Sequence, residues 1–269
     1  FDNSRTKLQK GSLITAIDGE KLEAGKDYFP LLNDKVGKRL LVSFRTASGE
    51  QVDEVIRPIS SSALNDLLYK RWVKQRAEEV ERVSKGTLGY VHIPSMGDPS
   101  FRTVYSDVMG KYYQKKGIVI DIRYNGGGRL HEDIEAFFTG KHYADQVVRD
   151  RQYSEMSSRR WNRPSVLVTC EADYSNAHGT PWVYQHLKVG KVVGMPVAGT
   201  MTSVNWVTLL DPSVYFGIPA VGFRLFDGRY LENTQMEPDV VVPLDPTKVL
   251  QGVDTQIEKA VEVLRAETK

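Results

Sequence analysis

A single cysteine, Cys170, is all the thiol chemistry in this 269-residue chain. One thiol cannot make an intramolecular disulfide or a cysteine-built zinc site. Its place after Val166-Leu167-Val168 predicts burial, and a lone thiol does not exclude an exported location. Long apolar runs are also missing: nothing approaches the roughly 20 residues needed to cross a bilayer, and no signal peptide opens the chain. Blocks of like charge are absent too, since 36 basic residues face 34 acidic ones for a formal charge of +2. That balance gives no reason to expect nucleic acid or an anionic membrane as partner. There is no internal repeat and no low-complexity tract. No pair of histidines with a carboxylate has metal-ligand spacing, so neither metal nor cofactor is expected. The chain opens on Phe1-Asp2-Asn3 without a methionine, which reads as a fragment whose missing front would carry any targeting signal.

What is present suits a globular protein. With 41% hydrophobic and 26% charged residues, the chain can bury a core and divide into a small and a larger domain. Residues 1–60 alternate short apolar runs with turn signals, Asp18-Gly19 and Ser48-Gly49 among them, and predict a small β-rich domain. A short helix is expected over Asp27 to Leu32. Pro58 and Ser60-Ser61-Ser62 mark the boundary, and residues 61–269 form the second domain. Leu64, Leu67, Leu68, Trp72, Val80 and Val83 recur at near-helical spacing, predicting an amphipathic helix with a solvated polar face. Beyond it, LGYVHI, FRTVYSDVMGKYY, GIVIDI, LHEDIEAFF, SVLVTC, the segment after Ser175 and KVVG alternate strand-like with helix-like character. That order predicts an α/β fold with a mostly parallel sheet. Residues 203–243 should form hairpins or extended arms, and Ile257, Ala260, Val261 and Leu264 one face of a final helix.

Three stretches could carry chemistry. EADYSNAHGTPW places Ser175 just past a buried strand at the first turn of a helix, where unpaired N–H groups and the helix dipole favour a developing anion. The same serine, or Asn176, could simply cap that helix. RYNGGGRLHED follows the strand ending at Ile122, and its glycines let the backbone approach a ligand closely; the spacing fits neither nucleotide-binding glycine pattern. An amide from this turn facing the amide after Ser175 would make a two-donor oxyanion hole. Glu232, in RYLENTQMEPDV, has no special claim by spacing alone.

Together, KGTLGYVHIPSM, GIVIDIRYNGGG, EADYSNAHG, KVVG and LENTQMEPDVVV, in that order, resemble the core of the tricorn and C-terminal-processing peptidase family, nearer its tricorn side. LQKGSLITAIDGEKL and LLNDKVGKRLLVSF resemble the later part of the PDZ domain that such proteases carry. The resemblance implies a spiral ββα core of the kind shared by Clp-type proteases and crotonases. It implies Ser175 as nucleophile, the backbone N–H groups of Gly128 and Asn176 as oxyanion hole, and Glu232 as the acidic member of a catalytic tetrad. It further implies a peptide or unfolded-protein substrate, leaves homo-oligomeric assembly open, and places bacterial members outside the cytoplasm and archaeal ones within it.

Two departures stand out. Asn176 occupies the position where the archaeal tricorn enzyme has an aspartate, which keeps the needed amide. The general-base histidine of tricorn-type enzymes lies in a domain before the PDZ domain, a region not found here, so this chain alone is expected to be inactive or nearly so. Of the five histidines, His178 shares a helical face with Ser175 but reads as a surface or groove residue. His92 reads as a partly buried strand residue, His131 as a cleft residue, and His142 and His186 as surface residues. Two other classes stay open: a crotonase-type enzyme acting on acyl-CoA, and a PDZ-bearing pseudoprotease that holds peptides without cutting them.

Overall fold

Asp18 and Gly19 take positive φ angles, 48° and 87°, the conformation that joins two twisted strands through a two-residue turn. The turn links β1 (Leu13–Ile17) to β2 (Glu20–Lys21), with β3 (Leu40–Arg45) and β4 (Gln51–Ile56) completing an antiparallel sheet in the order β2-β1-β3-β4. Alternation along β3 turns Leu40, Val42 and Phe44 inward onto Leu8 and Ile17, because successive strand side chains point to opposite faces. The helix expected from Asp27 is a 3-10 turn only, Phe29–Leu32, with Pro30 near its start. The computed structural model describes residues 6–268; the opening Phe1-Asp2-Asn3 lies outside them.

The chain parts into two units, Phe1–Trp72 and Val73–Lys269, and the division falls within α1 (Ser61–Ser84). This helix corrects the simple amphipathic expectation. Leu64, Leu67 and Leu68 are exposed, whereas Arg76 and Glu79 are buried beside Val80. Those charges go inside because Asp254 waits for them: its backbone N–H donates to Glu79 Oε1 at 2.9 Å and its carboxylate lies 3.5 Å from Arg76 Nη1.

In the second unit the expected alternation is present, with one interruption. β5 (Leu88–His92) leads through α2 (Asp98–Ser106) and a π-helical turn, Asp107–Lys111, to β6 (Gly117–Asp121), and then to α3 (His131–Phe138). An unexpected hairpin comes next, β7 (Ala144–Val148) and β8 (Arg151–Met156). Then come β9 (Ser165–Thr169), α4 (Asn176–His186), β10 (Lys191–Gly194), the hairpin β11 (Ser203–Thr208) and β12 (Tyr215–Val221), β13 (Val240–Val241), α5 (Pro246–Leu250) and α6 (Thr255–Glu267). The sheet runs β13-β10-β9-β6-β5 with every neighbouring pair parallel.

Every residue of β6 and β9 is buried, as expected for parallel strands covered on both faces. On one face Ile118, Ile120 and Leu167 pack with Val104, Ile134, Phe137 and Tyr184; on the other Val119, Val166 and Val168 pack with Val80, Ile257, Val261 and Leu264. Cys170 is buried beside them, and burial, before any other influence, pushes its thiol up to about 12. Among the described residues no helix is long and apolar enough to cross a membrane.

Where β6 ends, a buried ionic cluster anchors the chain as it enters the glycine turn. The Arg123 guanidinium forks onto Asp121 at 2.9 and 2.6 Å and reaches the Asp254 carboxylate at 2.8 Å and Gln256 Oε1 at 2.9 Å. Tyr90 donates its hydroxyl to Asp121 at 2.9 Å. Burial opposes the charge on Asp121, yet the charge and hydrogen bonds of Arg123 hold its carboxyl below the usual range. The cluster ties the root of the glycine turn to the N-cap of α6.

Candidate active site

The glycine turn follows β6 and Ser175 follows β9, so adjacent parallel strands deliver both to the same end of the sheet. That is where open α/β sheets place their crevices. Asn125 starts the turn: its Oδ1 accepts the N–H of Gly127 at 2.8 Å and its Nδ2 donates to Ile93 O at 2.8 Å. Its carbonyl accepts the Tyr174 N–H at 2.9 Å, which fastens the turn to the residue before Ser175.

Gly127 and Gly128 are there because nothing larger fits. A Cβ on Gly127 would lie 2.7 Å from Ser175 Cβ and 2.8 Å from Tyr174 O, and one on Gly128 would lie 2.1 Å from Met96 O. Both also have φ in the region that favours glycine, +99° and +139°. Met96 locks the turn from the other side, its N–H donating to Gly127 O at 2.9 Å and its carbonyl accepting the Arg129 N–H at 2.6 Å.

Ser175 itself has φ 56° and ψ −120°, a conformation that costs a non-glycine residue of order 1–3 kcal/mol and persists only where its surroundings enforce it. Its N–H donates to Thr200 Oγ1 at 3.0 Å, and its carbonyl accepts the His178 N–H at 2.8 Å. The side chain makes no cap hydrogen bond, so the bland reading of Ser175 as helix cap does not describe its hydroxyl. Among the described residues, neither the N–H of Gly128 nor that of Asn176 donates to a protein acceptor.

The Asn176 side chain does more than the sequence suggested. Its Oδ1 accepts the N–H groups of Leu130 at 2.8 Å and His131 at 3.2 Å, and its Nδ2 lies 2.7 Å from His131 Nδ1. It thereby clasps the far end of the glycine turn to the first residue of α4. Thr200 and Thr202, missed in the sequence, make the parallel connection: Thr200 holds Ser175, while the Thr202 N–H donates to Glu232 Oε2 at 2.7 Å. Glu232 is thus joined to the Ser175 neighbourhood through the segment between the two threonines.

The histidines are distributed otherwise than expected in one respect. His178 is completely buried rather than a surface or groove residue, because its Nε2 donates to Thr234 O at 2.9 Å across the α4 interface. Burial lowers its pKa, and its Nδ1 has no partner among the described residues. His92 lies 4.0 Å from Asp121. His131 borders the turn, His142 pairs with Asp145 at 2.7 Å, and exposed His186 stacks on Trp182. Among the described residues no histidine nitrogen is hydrogen-bonded to Ser175 Oγ.

Asp173, two residues before Ser175, receives the N–H groups of Cys170 at 3.0 Å and Asn125 at 3.3 Å. Burial dominates over those bonds and, helped by the charge of Asp121, pushes its pKa up to about 8.

Residues 87–242, more than half of the chain, match the family described as Peptidase family S41. The chain is similar to the tricorn protease of Thermoplasma acidophilum, 27% identical over 261 residues, and to putative tricorn protease homolog 2 of Streptomyces coelicolor, 27% identical over 268 residues. Each match covers 96% of this chain, which spans only 24% and 22% of the length of those relatives. A crystal structure of the tricorn protease superposes with a TM-score of 0.81 at 26% identity, covering 96% of this chain and 25% of that one.

Proposed function

This chain belongs to peptidase family S41, on its tricorn-like side, and from that premise we propose that it is the catalytic core of a serine endopeptidase acting on peptides or unfolded proteins. Ser175 attacks the peptide carbonyl, the N–H groups of Gly128 and Asn176 receive the oxyanion, and Glu232 orients the base or its partners. The single observation that carries the reading is the approach of Gly127 to a strained Ser175, close enough that a methyl group would lie 2.7 Å from Ser175 Cβ. A helix cap needs no such neighbour. A donor pair beside a hydroxyl that caps nothing is what acyl transfer requires.

The base is the remaining part. A serine hydroxyl is a weak nucleophile without a base within hydrogen-bond reach, and each of the five histidines is engaged elsewhere or has no bond to Ser175. We therefore assign the base to a segment outside these 269 residues, residues 1–60 to the later portion of a PDZ-like domain, and residues 61–269 to a peptidase core of the spiral ββα kind. The experiment is fluorophosphonate labelling of the full-length protein and of residues 1–269, each beside Ser175→Ala. Ser175-dependent labelling of the full-length protein, much weaker in the shorter chain, is expected. Absence of labelling in the full-length protein would overturn the nucleophile; strong labelling of the shorter chain would overturn the external base.

A further inference from the structure

Beside the site, between the outward face of α4 and the loop that precedes Glu232, lies a cavity of about 760 Å³. We propose that it receives a large apolar side chain of the peptide, aromatic or branched aliphatic, on the substrate flank that runs along α4. The inference rests on the reading of Ser175 as nucleophile.

The lining selects the class of side chain. Trp182 and His186 stack with ring centroids 4.7 Å apart and form a flat wall. Met201 and Leu231, 4% and 3% exposed, make the floor, and Phe223 the facing wall. At the rim Asp227 and Arg229 pair with each other at 2.7 Å, and Arg224, which also lines the cavity, is the one further charge there among the described residues, so an acidic side chain is the competitor the test must include. Few polar groups within a largely aromatic and aliphatic lining mark a site for apolar ligands, and a charged side chain entering it would lose its hydration without compensation.

The cavity is built into the machinery around Ser175. Met201 lies between Thr200, which holds the Ser175 N–H, and Thr202, which donates to Glu232. It reaches its place only because residue 179 is glycine: a Cβ there would lie 2.5 Å from Met201 Cε and Sδ. At the other side His131 meets Asn176 through Nδ1 and Phe223 edge-on at 6.1 Å.

Distance fixes which part of the peptide arrives. Met201 packs on Gly179, four residues after Ser175, and Trp182 is seven residues after it, so the cavity lies about 6 to 10 Å from Ser175 along the helix at ~1.5 Å per residue. An extended peptide advances ~3.3 Å per residue, so the side chain that reaches the cavity is roughly two to three residues from the bond cut.

The test uses Ser175→Ala protein and fluorescein-labelled Gly/Ser/Ala decapeptides carrying one Phe, Leu, Ala or Asp, scanned along the sequence, with binding read by fluorescence polarisation. We expect Phe and Leu peptides to bind at least ten-fold tighter than their Ala and Asp counterparts. Leu187→Trp, which fills the cavity from a half-exposed position, should abolish the preference, and Phe226→Ala, at a fully exposed rim residue, should weaken it at least three-fold. Equal binding of Phe and Ala peptides, or a preference unchanged in both variants, overturns the cavity. Fluorophosphonate labelling of the full-length, Ser175-intact protein separates the two readings. Selective binding without labelling removes the nucleophile and keeps the cavity, while labelling without selective binding does the reverse.

Discussion

Asn176 grips His131 twice: its Oδ1 accepts the backbone N–H at 3.2 Å, while its Nδ2 lies 2.7 Å from the ring Nδ1. With the Leu130 N–H also bound to Oδ1 at 2.8 Å, one side chain sets the spacing between the glycine turn and the start of α4, and hence between the amides of Gly128 and Asn176.

Removing that side chain leaves the backbone donor of residue 176 in place but frees the turn. Asn176→Ala strands a buried N–H at Leu130, a loss of about 1–3 kcal/mol, and should slow fluorophosphonate labelling more than ten-fold. Asn176→Asp keeps the acceptor for Leu130 and, with the His131 proton on Nδ1, accepts from the ring, so it should recover most of both quantities. Urea denaturation and labelling rates measure the two effects; wild-type labelling in Asn176→Ala would refute the clasp.

Ser175 sits where glycine is preferred, so Ser175→Gly should raise stability by about 1–2 kcal/mol while abolishing labelling, whereas Ser175→Ala abolishes labelling with no such gain. Gly127→Ala moves the other way, since its Cβ meets Ser175 Cβ and Tyr174 O; it should lower the melting temperature and extinguish labelling. Calorimetry on the three variants decides the matter, and a Gly variant no more stable than the Ala variant would remove the strain argument.

Asp173 carries a pH signature. Its folded-state pKa of about 8 lies above the 3.8 of a free aspartate, so the folded chain holds this proton more tightly than the unfolded one. Its contribution to stability is complete below about pH 4 and is lost as pH rises towards about 8. Urea midpoints from pH 5 to 8 should therefore fall more steeply in the wild type than in Asp173→Asn. Parallel pH profiles would show that Asp173 is not the group responsible.

Arg123 neutralises two buried carboxylates at once. Arg123→Met leaves Asp121 buried without its cation and Asp254 with Arg76 alone, 3.5 Å away, and should cost about 3–5 kcal/mol. Because Arg123 roots the glycine turn, surviving folded protein should also label slowly; a loss under about 1 kcal/mol in chemical denaturation would contradict the arrangement.

Much of the fold was legible because its signals are local. Ile118-Val119-Ile120 and Val166-Leu167-Val168 announce strands buried on both faces, and Ile257, Ala260, Val261 and Leu264 announce the buried stripe of α6. The turn NGGG and Ser175 could be singled out one by one, and family resemblance brought them together. What stayed hidden depends on partners distant in sequence. Arg76 and Glu79 look like solvated helix charges until Asp254 is placed beside them. His178 looks exposed until Thr234 arrives across the interface. The side chain of Asn176 gains its purpose only with Leu130 and His131 against it, and Thr200 is invisible without the backbone of Ser175. The hairpin of β7 and β8 escaped notice because its turn residues, Arg149 and Asp150, adopt positive φ without a glycine, and all of β7 is exposed.

The bond from Arg123 to Asp254 spans 131 residues, which makes it a statement about time as well as place. Contacts so remote in sequence form late and slow the search for the native state. While the chain is being synthesised, the strand that carries Arg123 emerges well before the helix that completes its cluster. Until α6 docks, the root of the glycine turn has only half its anchors, so the crevice becomes rigid only after the residues of α6 have left the ribosome.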